Sequence, residues 1–191
     1  MPFPLNRRAI LAAAAVATLA VATAAQADAP FGPKVGTRAP DVGVLADQAG
    51  KARPLRDLAG PKGVVLMFFR SAEWCPYCQA QLIAMNGGAA EIERRGYRLV
   101  GLSYDDPSKT KAFTDRRGIT YPLLSDPGSK VIDGWGLHDP QYPAGNRAYG
   151  VPRPAIFVID RKGVIRASLA EETYQKRPPV EEVLKALDGI G

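Results

Sequence analysis

The feature that most constrains this chain is an unbroken apolar run from Gly63 to Phe69 that leads directly into a Cys-x-x-Cys pair. The run reads GVVLMFF, and the residues that follow it read RSAEWCPYCQ. A continuous run of β-branched and aromatic residues is typical of a strand that is buried on both faces of a sheet. We therefore predict a central strand, with Cys75 and Cys78 at the point where the chain leaves it.

Helical and extended patterns alternate on both sides of this run. Before it, a short hairpin is predicted around Gly50. After Cys78, apolar residues recur at spacings of three and four, which indicates a helix that Gly96 can end. The pair Gly87-Gly88 is expected to bend or break that helix. The apolar positions of the helix are Leu82, Met85, Ala89 and Ile92.

The second half of the chain repeats the alternation. Further strands are predicted over YRLVGLSYDD, YPLLSD, AIFVID and VIRASLA, and the last two are joined by a tight turn. Helices are predicted over Pro107 to Arg117, with Gly118 after it, over residues 129–137, and at the C-terminus. Strands that alternate with helices predict an α/β domain with a mixed sheet covered on both faces.

The first 27 residues have the composition of an export signal. Arg7 and Arg8 precede an alanine-rich apolar run, and Ala25 and Ala27 supply the small-x-small pattern that a signal peptidase recognises. The run is short for a membrane span. We predict a signal peptide over 1–27, cleaved after Ala27, whose paired arginines resemble a twin-arginine signal. The mature protein would then be periplasmic or otherwise exported, where disulfides persist.

Composition places the remainder of the chain among ordinary globular domains. The chain has 191 residues, of which 46% are hydrophobic, so it can build the core of one domain. We predict an extended lead-in over 28–40, rich in Pro and Gly, and one domain over 41–191. The formal net charge is +6. Because the basic residues are scattered rather than clustered, a nucleic-acid partner is not expected.

Three kinds of chemistry could use the cysteine pair. A structural zinc site needs four ligands, and the chain offers two cysteines and one histidine, His138. A structural disulfide stabilises a protein mainly by restricting the unfolded chain, and a bridge across two residues restricts it very little. Redox chemistry agrees better with a pair that lies between a strand and a helix. We expect no metal and no other cofactor.

The position of the pair also favours a reactive thiol. Cys75 is predicted to lie at a helix N-terminus, where unpaired N–H groups and the helix dipole lower the pKa of a thiol. Pro76 suits the first helical position because its missing N–H is not needed there. Cys78 lies one turn further along and could attack a mixed disulfide formed by Cys75. A carboxylate at Glu73 would oppose the lowering of the thiol pKa if it were close.

On these residues the chain resembles the thioredoxin superfamily, and more narrowly the alkyl hydroperoxide reductase / thiol-specific antioxidant family of redoxins and peroxiredoxin-like proteins. The resemblance covers roughly residues 35–175. It rests on the segments GTRAPDVGVL, GVVLMFFRSAEWCPYC, GLSYDD, YPLLSD and YGVPRPAIFVIDRKGVIR. It implies a thioredoxin-like fold with a central mixed sheet flanked by helices, to which the N-terminal hairpin is an extension.

The chain departs from the peroxiredoxin pattern at the positions that orient peroxide. Peroxiredoxins carry Pro-x-x-x-Thr/Ser-x-x-Cys. If Cys75 is the cysteine of that motif, the Pro and Thr/Ser positions hold Phe68 and Ala72. If Cys78 is that cysteine, the same positions hold Ser71 and Cys75. Neither register matches the motif.

A second departure lies before the strand AIFVID. Peroxiredoxins place an arginine three residues before the phenylalanine of this strand, and here the position holds Pro154, three residues before Phe157. Arg153 is adjacent but would point differently along a strand. Dithiol oxidoreductases have a cis-proline at this point, which lets the substrate backbone pair alongside. The resemblance therefore implies a cis bond before Pro154 and a substrate-positioning role for this residue.

We predict an exported thiol–disulfide oxidoreductase with antioxidant redoxin character. Cys75 would attack a substrate disulfide and Cys78 would resolve the mixed disulfide, although the pair could equally pass a disulfide on. Trp74 would pack beside the reactive sulfur, and Tyr77 would contact partners. Pro76 belongs to the same substrate-positioning group.

The expected partners are thiol- or disulfide-containing proteins and an upstream redox partner. Contact with a membrane is expected only through an uncleaved signal segment. Two alternatives remain open. One is a peroxiredoxin-like thiol peroxidase that reduces small hydroperoxides. The other, which is less favoured, is a non-catalytic module of the same fold that binds a partner or a metal.

Overall fold

The structure is a computed structural model that describes Met1 and residues 29–190. Apart from Met1, the predicted signal peptide over 1–27 lies outside these residues. Among the helices of the described residues, none combines the length and the apolar character that a membrane span requires.

The described residues form one seven-stranded sheet with five helices packed around it. The order across the sheet is β2-β1-β5-β4-β3-β6-β7. The pairs β3–β4 and β4–β5 are parallel, and the other pairs are antiparallel. The elements are β1 (Val44–Asp47), β2 (Ala52–Pro54), α1 (Leu55–Leu58), β3 (Gly63–Phe68), α2 (Pro76–Arg94), β4 (Tyr97–Ser103), α3 (Pro107–Arg117), β5 (Leu123–Ser125), α4 (Lys130–Gly134), β6 (Ala155–Asp160), β7 (Ile165–Leu169) and α5 (Val180–Asp188).

This architecture confirms the predicted thioredoxin-like α/β fold with its mixed sheet and N-terminal hairpin. The hairpin β1–β2 turns at Gly50, whose positive φ of 75° a glycine adopts without strain. The short helix α1 was not predicted, because four residues are too few to show a helical period. Helix α4 is shorter than the predicted range of 129–137 and ends at Gly134.

β3 is the centre of the sheet and is buried along its whole length, as the sequence predicts. All of its residues from Gly63 to Phe68 are buried, with β4 parallel on one side and β6 antiparallel on the other. Val65 and Met67 enter the core that lies against α2, α3 and α5. Leu66 and Phe68 enter the core on the opposite face, together with side chains from α1 and α4.

Helix α2 runs without a break through Gly87 and Gly88. The expectation that this pair would bend or break the helix is therefore wrong. Gly88 is buried, and a Cβ at this position would point directly at Cγ1 of Val180, the first residue of α5. Nothing lies within 4 Å of the equivalent position on Gly87. The missing side chain at Gly88 thus lets α5 approach α2, and this packing outweighs the low helix propensity of glycine.

The two glycines give a matched test of this packing. We expect Gly87→Ala to stabilise the protein by about 0.5–1 kcal/mol, because alanine is the better helix former and the site is open. We expect Gly88→Ala to destabilise it by about 1–3 kcal/mol, because its methyl group would push α5 away from α2. Urea unfolding of the two variants and the wild type measures both effects. Equal stabilisation by the two substitutions would show that α5 does not rest on Gly88.

Candidate active site

The two cysteines lie where β3 gives way to α2. Cys75 is the N-cap residue of α2, and its sulfur accepts a hydrogen bond from the backbone N–H of Cys78 at 3.4 Å. Pro76 occupies the first position of the helix. The structure therefore places Cys75 and Pro76 at the helix N-terminus as the sequence predicts, and the helix amide that reaches Cys75 is that of Cys78.

Two groups donate hydrogen bonds to the Cys78 sulfur. The backbone N–H of Arg70, the second residue after β3, donates to Cys78 Sγ at 3.3 Å. The guanidinium Nη2 of Arg177 donates to the same sulfur at 3.4 Å. Both cysteines are free thiols, and their exposed fractions are only 1% for Cys75 and 0% for Cys78. The reduced pair is therefore covered, and Cys78 is the sulfur that a cationic donor reaches.

These contacts separate the acidities of the two thiols. Burial by itself would raise the pKa of Cys78, but the Cys75 thiol and the Arg177 guanidinium stabilise its thiolate and lower the pKa to about 6. The hydrogen bond with Cys78, together with burial, raises the pKa of Cys75. The expectation was that the helix N-terminus would make Cys75 the thiolate. The arrangement favours the thiolate on Cys78 instead, because the Cys75 thiol and the Arg177 guanidinium both donate to the Cys78 sulfur.

Arg177 belongs to a segment without regular secondary structure that connects β7 to α5. We call this segment, residues 170–179, the strap. Its Tyr174 ring lies 6.0 Å from the ring of Tyr77, centroid to centroid, in an edge-to-face arrangement. Gln81 of α2 donates weakly to the carbonyl of Pro178 at 3.5 Å. The strap thus crosses the N-terminal end of α2 and lies against Cys78.

Arg70, whose backbone N–H reaches the same sulfur, also has a buried side chain. Its guanidinium lies 4.1 Å from the ring centroid of Tyr174, 4.8 Å from that of Tyr142 and 5.4 Å from that of Trp74. Only 1% of the residue is exposed, and its Nε and Nη1 atoms have no hydrogen-bond partner among the described residues. The aromatic faces stabilise this charge through cation–π contacts, but no carboxylate of the described residues forms an ion pair with it.

Trp74 and Tyr77 flank the cysteines and are partly exposed, by 41% and 44%. The indole N–H of Trp74 donates to the hydroxyl of Tyr104 at 3.0 Å, so Trp74 is held beside the site rather than free to rotate. Glu73 forms an ion pair with Lys109 at 2.8 Å. The carboxylate of Glu73 is therefore paired with a lysine.

A buried carboxylate fixes the loop before the cysteines. Asp105 follows β4, and its Oδ2 accepts the backbone N–H of Ala72 at 2.7 Å. Burial raises the pKa of Asp105 to about 6. The side-chain amide of Gln79 adds hydrogen bonds to the carbonyls of Ala72 and Glu73 from the helix side. The loop is therefore held from both β4 and α2.

Pro154 differs from its expected geometry. The described residues contain no cis peptide bond, so the predicted cis bond before Pro154 is wrong. X–Pro bonds favour the trans form by about 0.5–1 kcal/mol, and the bond before Pro154 takes that form. The N–H of Arg153 bonds to the carbonyl of Leu137 at 2.6 Å, and the chain continues directly into β6. Pro154 lines a cavity of about 300 Å³ with Phe31 and Tyr174, and neither cysteine lines this cavity.

The sequence did not identify the two arginines as site residues. Arg70 carried a readable signal, since it is the first charged residue after a wholly buried strand and precedes the motif by a few residues. Arg177 carried none, because it lies 99 residues from Cys78 in a polar segment without periodicity. The described residues contain no cluster of three or more His, Cys, Asp or Glu side chains that could hold a metal ion.

Known proteins are similar to this chain in sequence and in fold. The profile of the AhpC/TSA family matches residues 35–168. The chain is 30% identical over 153 residues to the chloroplastic peroxiredoxin Q of Populus jackii, an alignment that covers 80% of this chain and 68% of the relative. It is 34% identical over 130 residues to a Mycobacterium tuberculosis protein that bears the name peroxiredoxin, covering 68% of this chain and 80% of that protein.

Solved structures agree with these relatives. The crystal structure of the peroxidoxin BcpB from Mycobacterium tuberculosis superposes with a TM-score of 0.65 at 26% identity, covering 82% of this chain and 96% of that chain. The peroxiredoxin 6 of Arenicola marina, crystallised as a mutant in which a serine replaces a cysteine, gives a TM-score of 0.71 at 19% identity, covering 82% and 73%. The second likeness concerns the fold alone.

The division of acidity between the cysteines can be measured directly. The pKa of Cys78 is lowered, so its thiolate should appear as the pH rises through about 6, whereas an ordinary thiol ionises near pH ~8.5. We expect thiolate ultraviolet absorbance to show this early transition in the wild type and in Cys75→Ser, whose hydroxyl can still donate to Cys78. In Cys78→Ser the early transition should be absent. An early transition that survives in Cys78→Ser and vanishes in Cys75→Ser would assign the thiolate to Cys75.

Proposed function

The chain belongs to the AhpC/TSA family and is a thiol-dependent oxidoreductase, and from this premise we propose that it is a thiol peroxidase in which Cys78 reduces a hydroperoxide and Cys75 resolves the product. The observation that carries this proposal is the pair of donors on Cys78 Sγ, the N–H of Arg70 and the guanidinium of Arg177. They favour a thiolate at Cys78, and the thiolate is the nucleophilic form of a cysteine.

The chemistry needs only these two cysteines and a hydroperoxide. The Cys78 thiolate attacks the terminal oxygen of the hydroperoxide, the O–O bond breaks, and the departing alkoxide takes a proton to become an alcohol. Cys78 is then a sulfenic acid. The Cys75 sulfur attacks the Cys78 sulfur, the hydroxyl group leaves as water, and a Cys75–Cys78 disulfide forms. Two electrons have passed from the two thiols to the peroxide.

The position of Cys75 supports this division of roles. In the register that makes Cys78 the reactive cysteine, Cys75 stands where the peroxiredoxin motif has a threonine or serine. A thiol at this place can donate a hydrogen bond to Cys78 as the hydroxyl would, and it can also react. The guanidinium that peroxiredoxins place at the position of Pro154 has no counterpart there, and we infer that Arg177 supplies the cation from the strap.

Burial of the pair favours a small first substrate. A protein disulfide would have to bring its sulfur atoms to a cysteine whose exposed fraction is 0%, whereas a hydroperoxide is small enough to reach a covered thiol. Thiol–disulfide exchange enters in the second half of the cycle, in which an external thiol reduces the Cys75–Cys78 disulfide through a mixed disulfide. Exchange with substrate proteins as the main activity is the second candidate, and the Cys-x-x-Cys spacing favours it.

Single-cysteine variants separate these candidates. With hydrogen peroxide and with tert-butyl hydroperoxide, we expect Cys78→Ser to lower the rate of peroxide consumption by at least about 100-fold, because the nucleophile is gone. Cys75→Ser should still consume one equivalent in a single turnover and accumulate a sulfenic acid on Cys78, which dimedone labels and mass spectrometry locates.

Two outcomes would contradict the proposed roles of the cysteines. A sulfenic acid that forms on Cys75 in Cys78→Ser would reverse the two roles. Peroxide consumption that is negligible in the wild type, together with trapping of mixed disulfides with proteins by a single-cysteine variant, would favour protein disulfide exchange over peroxide reduction.

We also propose that the protein is exported, on the strength of Arg7, Arg8 and the alanine-rich run that follows them. The mature chain should begin at Asp28. Fractionation of expressing cells and determination of the N-terminal residue by mass spectrometry test this, and recovery of the full-length chain from the cytoplasm alone would contradict it.

A further inference from the structure

Consecutive backbone amides that follow β3 donate to two different acceptors. The N–H of Arg70 donates to Cys78 Sγ at 3.3 Å. Against the effect of burial, a hydrogen bond from the N–H of Ser71 helps to lower the pKa of Cys78. The next N–H, that of Ala72, donates to Asp105 Oδ2 at 2.7 Å. The Cys78 sulfur and the Asp105 carboxyl group therefore share one short run of amides.

The Asp105 side chain supplies an acceptor at the point where the sheet stops supplying one. The parallel ladder between β3 and β4 extends to the N–H of Phe69, which donates to the carbonyl of Leu102 at 3.0 Å. Beyond this point the chain leaves the sheet. Ala72 is buried, so its N–H needs an acceptor from the protein. Asp105, two residues beyond the end of β4, provides it, and the loop is thus tied to β4 by a side chain.

Hydrogen bonds rather than an ion pair connect Asp105 to this loop. Asp105 is only 3% exposed, and no ion pair within the described part of the chain includes it. Burial raises its pKa, while hydrogen bonds from the Ala72 amide and the Ser71 hydroxyl act to lower it. The Ser71 oxygen in turn accepts the N–H groups of Glu73 and Trp74. Asp105 therefore holds the turn that leads to the cysteines.

We propose that Asp105 is a positioning residue of the reaction, which keeps the preceding loop amides on the Cys78 sulfur by holding the N–H of Ala72. This inference rests on the proposed function for the role of Cys78 as the nucleophile. Without the Asp105 acceptor, the buried N–H of Ala72 would be left unsatisfied, and the loop would shift to find another partner. The amides before it would then leave the sulfur, and the thiolate would lose hydrogen bonds that stabilise it.

The charge of Asp105 and its hydrogen bond have opposite effects on Cys78, so an experiment can separate them. A nearby carboxylate disfavours a thiolate and raises the pKa of the thiol. An acceptor that keeps amides on the sulfur lowers that pKa. Removal of the Asp105 carboxylate therefore lowers the pKa of Cys78 if only its charge matters, and raises it if positioning matters.

Two substitutions of similar size make this test in the full chain. Asp105→Leu removes every acceptor, and we expect the thiolate transition of Cys78, followed by ultraviolet absorbance, to rise by at least about one pH unit. Asp105→Asn removes the charge but keeps an oxygen for the N–H of Ala72, so its transition should rise by less than about 0.3 pH units. An unchanged or lowered transition in Asp105→Leu, or an equal rise in the two variants, would overturn the proposal.

A milder variant and a neighbouring carboxylate complete the set. Ser71→Ala removes the hydroxyl that joins the loop to Asp105, and its transition should rise by about 0.3–1 pH units. If Asp105→Leu does not fold, the absence of a rise in Ser71→Ala overturns the proposal. Asp106→Leu is the matched control, because Asp106 is exposed and its side chain makes no capping hydrogen bond to α3. A rise in Asp106→Leu as large as that in Asp105→Leu would contradict a specific role for Asp105.

The pH profile of peroxide reduction adds a measurement that a mere loss of stability would not move. At about pH 6 we expect Asp105→Leu to consume hydrogen peroxide at least about fivefold more slowly than the wild type, because less of its Cys78 is thiolate. At about pH 9, where both proteins hold the thiolate, the difference should fall below about twofold. An equal loss at both pH values would contradict positioning through the acidity of the thiol.

The two measurements keep this inference separate from the proposed function. Because the thiolate transition is followed without peroxide, it tests the role of Asp105 even if the protein fails to reduce peroxide. Conversely, a protein that reduces peroxide rapidly but whose thiolate transition is unchanged in Asp105→Leu would retain the proposed function and lose this inference.

Discussion

A strand that is buried along its whole length fixes the chain on both sides of it, and β3 is such a strand. Its two faces fill both cores, and β4 and β6 occupy its two edges. The chain must therefore leave the sheet at one point, immediately after Phe69, and Arg70 is the first residue that can turn away. The backbone N–H of Arg70 then meets the sulfur of Cys78 in the first turn of α2. The placement of the reactive pair follows from the burial of the strand.

The cysteines differ because their surroundings come from different parts of the chain. The Cys75 sulfur accepts one hydrogen bond from its local sequence, donated by the Cys78 amide at the start of α2. Cys78 receives a guanidinium from a segment near the C-terminus. A helix end acts as about half an elementary charge, and a guanidinium in hydrogen-bond contact carries a full one. The long-range contact therefore adds to the hydrogen bond from Cys75 in lowering the pKa of Cys78, and the spacing of the motif alone does not predict it.

Features whose causes are local could be predicted from the sequence. The proline and glycine that bound α3, the apolar run of β3 and the tight turn between β6 and β7 each contain the chemistry that forms them, and all are found where expected. The features that the sequence analysis missed or predicted wrongly depend on distant parts of the chain. Gly88 is tolerated inside α2 because α5 packs on it, the bond before Pro154 is trans, and Arg177 reaches Cys78 across 99 residues of sequence. None of these features can be predicted from a short window of neighbouring residues.

The carboxylate that anchors the loop before the cysteines has a thermodynamic consequence of its own. Asp105 is easier to ionise in the unfolded chain, near pH ~3.9, than in the fold, where its pKa is about 6. Its contribution to stability is therefore complete below the unfolded value and is lost as the pH rises through about 6. The loop before the cysteines is thus anchored by a carboxyl group whose contribution to stability is greatest in acid. Mild acidification therefore does not weaken this attachment.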